Sequence, residues 1–235
     1  MRALSRNQRA LAHVQAEVVR CTRCPRLTRY RAHVAAQKVR RYRDWEYWGR
    51  PIPSFGDPGA RMLILGLAPA AHGGNRTGRI FTGDRSGDWL IRALYTFGFA
   101  NQPSSVSRDD GLKLRDCYIS ASLRCAPPQN RPTRQELGNC RPYLLQELRL
   151  LRKVRVVVTL GRIAFDTFLH ACHETGIALP RPRPRFAHGA RFRLGKGLTV
   201  FASYHPSQQN TLTRRLTRPM FHATFREVRR LLSEQ

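Results

Sequence analysis

The chain has 235 residues, of which 42 are Lys or Arg and only 15 are Asp or Glu, so its formal net charge is +27. Its length allows one substantial hydrophobic core, and 41% hydrophobic residues is ordinary for a globular protein. The sequence has no apolar run of about 18 residues, which excludes a typical membrane span. The basic excess favours a polyanionic partner, because clustered Lys and Arg release counterions from phosphates, although a general preference for Arg explains part of it.

The N-terminus is too charged for a secretory signal, and it runs directly into the first cysteine motif. An Arg-rich organellar transit peptide is the alternative interpretation. We therefore expect a cytoplasmic, nucleoid-associated protein. In that reducing compartment, closely spaced cysteines indicate a metal site rather than a disulfide.

In chain order, apolar residues at helical spacing predict a first helix over residues 3–20. Residues 26–48 are basic and aromatic, and are predicted as a helix followed by irregular chain. Buried strands are predicted at residues 61–67, 116–122, 154–160 and 198–203. Further helices are predicted at residues 88–95, 133–152, 162–171 and 218–232. The helix over 133–152 begins at a capping box formed by Thr133 and Glu136.

Strands that alternate with helices imply one α/β domain over residues 1–235, with a central four-stranded parallel sheet and helices on both faces. In such sheets, sites form in the loops at the carboxyl ends of the strands. The three loops richest in chemically useful residues each follow a predicted strand, at residues 68–87, 123–130 and 204–212. We therefore expect these loops to build the functional site.

Four of the six cysteines have spacings that suit a metal centre. Cys21 and Cys24 form a C-x2-C pair, while Cys125 and Cys140 fall on a predicted strand end and a helix. Four thiolates suit either Zn²⁺ or a [4Fe–4S] cluster, and spacing alone slightly favours zinc because structural zinc is commoner. Four unrelated cysteines are the alternative. The other two are interpreted as packing residues, namely Cys117 and Cys172.

The loop after the first predicted strand reads GLAPAAHGGNRTGRIFTGD over residues 66–84. It contains neither a Walker A motif nor a G-x-G-x-x-G turn that opens a helix, so nucleotide binding is weakly supported. Its glycines allow backbone N–H groups to approach a ligand closely. It also carries an aromatic ring, Phe81, three residues before a carboxylate, Asp84.

This loop and three further motifs together resemble the type B, or family-five, uracil-DNA glycosylases. The further motifs are Cys21-x2-Cys24-Pro-Arg-Leu, Arg124-Cys-Ala-Pro-Pro-Gln-Asn130 and Ser203-Tyr-His-Pro-Ser-Gln-Gln-Asn210. The likeness extends over residues 15–230, with the motifs in the same order. It implies the uracil-DNA glycosylase fold and an iron–sulfur site, on which residues 1–50 pack. The implied ligands of its [4Fe–4S] cluster are Cys21, Cys24, Cys125 and Cys140.

The resemblance also implies roles for individual residues of the three loops. Phe81 corresponds to the aromatic residue that stacks on the flipped base, and Asn130 to the residue that reads the edge of uracil. His205 corresponds to the histidine of the second active-site motif, and Asp84 to the acidic residue proposed to activate water. Two more substrate-binding residues are expected in the first loop, namely Ala68 and His72.

The segment Ala68-Pro69-Ala70 separates this chain from the commoner uracil glycosylases, which place a polar Asp, Asn or Glu near the proline. Type B members share this lack, which implies a less selective pocket. We therefore expect a DNA-repair glycosylase that acts on uracil first and also on hypoxanthine or xanthine. A non-catalytic metal-cluster DNA-binding module is the alternative.

A glycosylase extrudes its target base from the duplex, so we expect basic residues that grip the flanking phosphates. The candidates are Arg76, Arg214 and Arg215, followed by Arg79, Arg85 and Arg218. An apolar wedge that fills the vacated stack is expected from Leu212 or Leu216. The expected partner is double-stranded DNA, with single-stranded DNA left open, and the protein is expected to be a monomer.

Each pocket residue also has a purely structural interpretation. Phe81 could be a core residue beneath the loop, and Asp84 could cap a helix that starts near residue 86. Asn130 could be a turn residue. His205 could bond to the backbone only. His72 and the Arg214-Arg215 pair could equally belong to a loop and a solvated face.

Overall fold

The computed structural model describes residues 5–234, so the predicted start of the first helix at residue 3 lies outside the described residues. Eight α-helices are formed in this range, and they are α1 (Arg6–Arg20), α2 (Pro25–Gln37), α3 (Gly74–Thr77), α4 (Arg85–Thr96), α5 (Arg134–Leu150), α6 (Arg162–Glu174), α7 (Gln208–Leu212) and α8 (Arg218–Ser233). The strands are β1 (Phe55–Gly56), β2 (Met62–Gly66), β3 (Cys117–Ala121), β4 (Val156–Leu160), β5 (Arg191–Arg193) and β6 (Thr199–Ser203).

The six strands form one mixed sheet in the order β1-β3-β2-β4-β6-β5. Its inner strands β3, β2, β4 and β6 pair in parallel and coincide with the four predicted strands, whereas the edge strands β1 and β5 are antiparallel. The sheet therefore has two strands more than predicted. Both are only two or three residues long, too short for an alternating pattern to reveal them.

Helices cover both faces of the sheet, as the alternation of strands and helices predicts. Every residue of the four inner strands is buried, and successive side chains point to opposite faces. In β2, Ile64 joins a hydrophobic cluster that includes residues of α4 and α8, while Leu63 and Leu65 join a cluster with residues of α5 and α6. The carboxyl ends of the inner strands are thus held rigidly between two cores.

The start of α5 confirms the predicted capping box. The Thr133 hydroxyl accepts a hydrogen bond from the Glu136 N–H, and the Glu136 carboxylate accepts one from the Thr133 N–H at 2.8 Å. Two short helices were not predicted: α3 lies inside the Gly-rich loop, and α7 follows β6. None of the helices between residues 5 and 234 combines the length and apolar character needed to cross a bilayer.

A buried polar network joins α1 to the sheet and to α5. The Glu147 carboxylate accepts hydrogen bonds from the Arg124 guanidinium at 2.6 Å, from the Ser120 hydroxyl at 2.7 Å and from the Gln15 amide at 2.9 Å. Because Glu147 and Arg124 are both buried, loss of either would leave an uncompensated charge. The same Arg124 donates its backbone N–H to the sulfur of Cys140 at 3.4 Å, so the network ends beside the predicted metal ligands.

Candidate active site

A cleft of about 780 Å³ opens at the carboxyl ends of β2, β4 and β6. The three loops that the sequence singles out all contribute to it, together with residues 160–164 after β4. The predicted site residues among those that line it are Ala68, Phe81, Asp84, Asn130 and His205. The sheet topology therefore brings together side chains that are up to 137 positions apart in the sequence (from Ala68 to His205).

Phe81 forms one wall of this cleft. Its ring lies against Gly66, where an added Cβ would be only 3.0 Å from two ring carbons, so a larger residue at the end of β2 would push against the ring. The backbone of Phe81 is left-handed, with φ of 51°, a conformation that is uncommon and strained for a bulky residue. Phe81 belongs to the core cluster as well as to the cleft, so its structural interpretation is confirmed and its stacking on a flipped base stays a prediction.

The imidazole of His205 stacks beside Phe81, with 5.8 Å between ring centroids and 28° between the planes. Burial lowers the pKa of His205 to about 4, which keeps the ring neutral at pH 7. A neutral imidazole carries one N–H donor and one acceptor. The carbonyl of His205 accepts a hydrogen bond from the Asn210 amide at 2.8 Å, which fixes the loop after β6.

Asp84 serves two purposes at the entrance to α4. Its Oδ1 accepts a hydrogen bond from the Gly87 N–H at 2.9 Å, so Asp84 is the N-cap of the helix. Its Oδ2 lies so close to Gly73 that any Cβ at that position would overlap it. Burial raises the pKa of Asp84, and hydrogen bonding to Gly87 opposes that rise. The predicted cap is therefore present, and the same carboxylate still lines the cleft.

Asn130 stands at the border between the main cleft and a second cleft of about 370 Å³. Asn130 and its neighbour Gln129 both have left-handed backbones, with φ of 56° and 54°. His72 lines the second cleft rather than the one that contains Phe81 and His205. Its Nδ1 lies 3.0 Å from the Tyr47 hydroxyl, so the expectation that His72 lies in the base pocket is not supported.

The four predicted metal ligands are free thiols, and three of them lie in one cluster with Ala68, while Cys21 packs against a neighbouring cluster that contains Tyr143. Cys125 and Cys140 pack against Leu27 and Leu123, with Cys24 at the edge of the same cluster. Burial is the main cause that raises the pKa of Cys125 to about 12 and that of Cys140 to about 11, and the neighbouring thiols contribute less to the same rise. Between residues 5 and 234, no three Cys, His, Asp or Glu side chains converge as they would around a single metal ion.

Comparison with known proteins gives the family. The family model of the Uracil DNA glycosylase superfamily matches residues 53–229. A type-5 uracil-DNA glycosylase of Pyrobaculum aerophilum is 50% identical over 200 residues, which cover 85% of this chain and 84% of the relative. One of Thermus thermophilus is 48% identical over 211 residues, covering 90% and 93%. The chain belongs to the type-5 uracil-DNA glycosylases.

Sequence identity to a type-4 uracil-DNA glycosylase is much lower. A type-4 uracil-DNA glycosylase of Archaeoglobus fulgidus is 28% identical over 185 residues, which cover 78% of this chain and 83% of the relative. The similarity to the two type-5 relatives is much higher than this. The resemblance to the type B family that the four motifs indicated is therefore confirmed.

In this type-5 family member, two arginines that were predicted to contact phosphates are buried instead. Arg76 is 3% exposed; its guanidinium donates to the carbonyls of His72 and Gly83 at 2.8 and 2.9 Å and lies over the rings of Tyr42 and Trp45. The prediction that Arg76 binds DNA is therefore wrong, because its N–H groups point into the protein.

Arg79 is likewise enclosed, at 4% exposed, and pairs with Asp110 at 2.8 Å. Leu216, one of the two candidate wedges, is fully buried in the core next to α8. The other candidate, Leu212, is 64% exposed at the end of α7 and stays a prediction. Arg214 and Arg215 follow it in an exposed segment, with Arg215 lying over the Tyr204 ring.

Sequence reasoning missed Gly73, whose lack of a side chain makes room for the Asp84 carboxylate. The Gly73-Gly74 pair was visible in the sequence, but nothing there indicated which side chain occupies the space. It also missed Gln129, Ser207 and Gln208, which line the cleft from two loops. The structural assignment of Cys117 and Cys172 is confirmed, since both are completely buried in the two cores.

Proposed function

We propose that this protein removes uracil from DNA by hydrolysing the N-glycosidic bond, which leaves an abasic site. The observation that carries the proposal is the cleft at the carboxyl ends of the inner strands, which is lined by an aromatic ring, a neutral imidazole and a carboxylate. These are Phe81, His205 and Asp84. Family membership supports the same reaction.

Binding of the extruded base would use Phe81 and Asn130. A base stacked on an aromatic side chain gains about 1–3 kcal/mol, and the Phe81 ring is already fixed against Gly66. The Asn130 amide offers one donor and one acceptor, which match O4 and N3–H of uracil. Asn130 is exposed at the cleft mouth, so it can meet the base as it enters.

Cleavage of the bond between C1′ and N1 places negative charge on uracil and positive charge on the sugar. The neutral His205 ring donates an N–H to a uracil oxygen, where negative charge develops. Since the pKa of His205 is about 4, the histidine acts as a hydrogen-bond donor and not as a cation. In its ionised form, Asp84 would stabilise the positive sugar and orient the attacking water.

The proposed substrate range includes hypoxanthine and xanthine as well as uracil. Ala68 and Ala70 line the cleft where a polar side chain would otherwise select the base. A pocket without a polar side chain at this position discriminates weakly between related bases, because no unpaired group there penalises the wrong one. Asn130 then becomes the main determinant that favours uracil.

We further propose that Cys21, Cys24, Cys125 and Cys140 hold a [4Fe–4S] cluster. The donor set supports this proposal, because all four thiols are free and Cys24, Cys125 and Cys140 pack together around Leu27 and Leu123. Metal coordination would deprotonate the buried thiols, which burial alone disfavours. Glycosidic hydrolysis requires no redox change, so the cluster would stabilise the fold around Ala68 and α2. Purified protein should contain about four irons per chain.

The decisive test is the Asp84→Asn variant in single-turnover cleavage of duplexes that contain uracil, hypoxanthine or xanthine. Asn caps helices as well as Asp does, so this change removes the charge and keeps the cap. We expect a rate loss of about 10²–10⁴-fold with nearly unchanged DNA affinity. Asp88→Asn, an exposed carboxylate one turn further along α4, is the matched control.

A wild-type rate in Asp84→Asn would leave Asp84 with its capping role alone. Absence of alkali-labile abasic sites with the unmodified protein would reject the enzymatic function, in favour of a DNA-binding module. Cleavage of uracil but of neither purine would restrict the substrate range.

A further inference from the structure

Arg31 on α2 is a buried cation without a counter-charge in the protein. It is 6% exposed, and its Nε and Nη1 have no hydrogen-bond partner. Its one hydrogen bond is long, from Nη2 to the Thr28 hydroxyl at 3.5 Å, and none of the ion pairs among residues 5–234 involves it. A buried charge left this way is costly, so the site indicates an anionic partner that the polypeptide does not supply.

Other buried arginines of this fold have closer partners than Arg31 does. Arg79 pairs with Asp110 at 2.8 Å, and Arg124 pairs with Glu147 at 2.6 Å. Arg76 donates to two carbonyls and lies over two aromatic rings. Arg76 and Arg124 each keep one unpaired guanidinium nitrogen, whereas Arg31 has two and only one long hydrogen bond, so Arg31 is the least satisfied of these buried arginines.

The position of Arg31 on α2 identifies what the partner would be. Cys24 is the N-cap of α2, and Leu27 and Arg31 are the buried residues that follow at spacings of three and four, which place them on one helix face. On that face, Leu27 packs against Cys125 and Cys140. Arg31 therefore lies one turn beyond Leu27, on the helix face that meets these cysteines.

We propose that Arg31 is the buried counter-charge of the cysteine-bound cluster, towards which its two unpaired N–H groups donate. The inference rests on the proposed cluster: four thiolates give such a centre a net negative charge, which a neighbouring guanidinium stabilises. Hydrogen bonds and charges around a cluster also set its reduction potential. Removal of the positive charge should therefore disfavour the reduced cluster and lower that potential.

The test compares Arg31→Met, Arg31→Lys and Arg29→Met in anaerobically purified full-length protein. Arg29 is exposed on the same helix, so Arg29→Met makes the same chemical change away from the cysteines. Three properties are measured: iron and sulfide per chain, the rate at which a chelator bleaches the cluster absorbance, and the reduction potential.

We expect Arg31→Met to lose its cluster roughly tenfold faster than the unmodified protein and to have a lower potential. Arg31→Lys should have a reduction potential close to that of the unmodified protein but lose its cluster somewhat faster, because lysine keeps the positive charge and lacks the guanidinium. Arg29→Met should match the unmodified protein. If Arg31→Met fails to fold, Arg31→Gln provides the neutral side chain.

Equal bleaching rates and potentials in the unmodified, Met and Gln proteins would overturn the role of Arg31 while leaving the cluster in place. A fall in melting temperature with an unchanged potential would show a packing role only, and would also overturn it. An unmodified protein without iron would overturn the cluster and this inference together. Uracil release is measured on the same samples. It shows whether the proposed glycosylase activity is present even when the cluster or the role of Arg31 is rejected.

Discussion

The loop after β2 and the segment after β6 reach the same cleft, and each contains two arginines. The loop buries its arginines, whereas the segment exposes them. In the loop over residues 68–84, Arg76 and Arg79 are buried. In the segment over residues 204–217, Arg214 and Arg215 are exposed. Each region contributes one ring to the stacked pair of Phe81 and His205. Arginine content alone therefore does not identify a surface that binds phosphates.

The difference arises from how each region provides hydrogen-bond partners for its backbone groups. Buried carbonyls need donors, and the irregular loop after β2 takes them from arginine. Arg76 donates to two carbonyls of that loop, while Arg79 donates to the Thr82 hydroxyl and to a carbonyl at residue 108. The segment after β6 instead forms the short helix α7, capped by Ser207. Its arginines are not needed for this and extend into solvent.

The largest expected effect of this contrast is on stability. Arg79→Ala removes the partner of Asp110 inside the protein, so we expect the free energy of unfolding to fall by about 3–5 kcal/mol. Arg214→Ala, the same change in the exposed segment, should alter it by less than about 0.5 kcal/mol. Urea titrations followed by circular dichroism measure both. Similar losses in the two variants would contradict the division between a structural loop and an exposed segment.

The next effect concerns the position of the Asp84 carboxylate. Gly73→Ala places a methyl group where Oδ2 of Asp84 lies, so the carboxylate has to move. A displacement of about 1 Å in a catalytic group can cost roughly hundredfold in rate, and we expect a loss of that size in single-turnover uracil release. Gly138→Ala is the matched control, because a Cβ there meets nothing within 4 Å. A wild-type rate in Gly73→Ala would mean that the loop absorbs the methyl group without consequence.

A smaller effect concerns His205 and the dependence of the unfolding free energy on pH. Burial lowers the pKa of His205 to about 4, whereas an unfolded histidine titrates near 6.5. Between these values the unfolded state binds the extra proton, so stability is lost as pH falls from about 6.5 to about 4. His72, His188 and His222 shift in the same direction, so the total slope does not isolate His205.

Comparison of the variant His205→Gln with the unmodified protein isolates the contribution of His205 to this pH dependence. We expect the unfolding free energy of this variant to depend less steeply on pH between about 4 and 6.5 than that of the unmodified protein. Both proteins should show the same slope above pH 7, where the histidine is neutral in either state. Identical slopes across the acidic range would mean that His205 is not held neutral by the fold.

Much of the architecture could be predicted from sequence because it depends on local pattern. The four inner strands are continuous apolar runs buried on both faces, and α5 starts at a capping box that can be read directly. The edge strands could not be predicted, because their pairing depends on neighbours that are distant in sequence. Phe81 belongs to both core and cleft for the same reason: its neighbours Gly66 and His205 come from different strand ends.

The role of each arginine could be predicted least. A sequence shows charge but not burial, and Arg76 differs from Arg214 only in what surrounds it. The partners of Arg76 are carbonyls and rings from three places in the chain. The unpaired Arg31 was not singled out at all, because an orphaned donor becomes visible only when every neighbour is placed.

The smallest expected effect tests the exposed segment itself. The double variant Arg214→Ala with Arg215→Ala should weaken binding to uracil-containing duplex DNA. It should also reduce the slope of log affinity against log salt by about 1.8, since each phosphate contact contributes about 0.9. Stability should stay within about 0.5 kcal/mol of the unmodified protein. Fluorescence anisotropy at a series of salt concentrations gives the slope.

The matched control removes the same charge from the other end of the sheet. Arg152 and Lys153 are exposed and lie just before β4, so they sit at the amino ends of the parallel strands, opposite the cleft. If DNA crosses the cleft mouth, Arg152→Ala with Lys153→Ala should leave the salt slope nearly unchanged. Equal reductions in both double variants would show that DNA responds to the overall charge of +27 rather than to this segment. The segment after β6 would then be exposed without a specific role in DNA binding, and the functional side of the contrast would be lost.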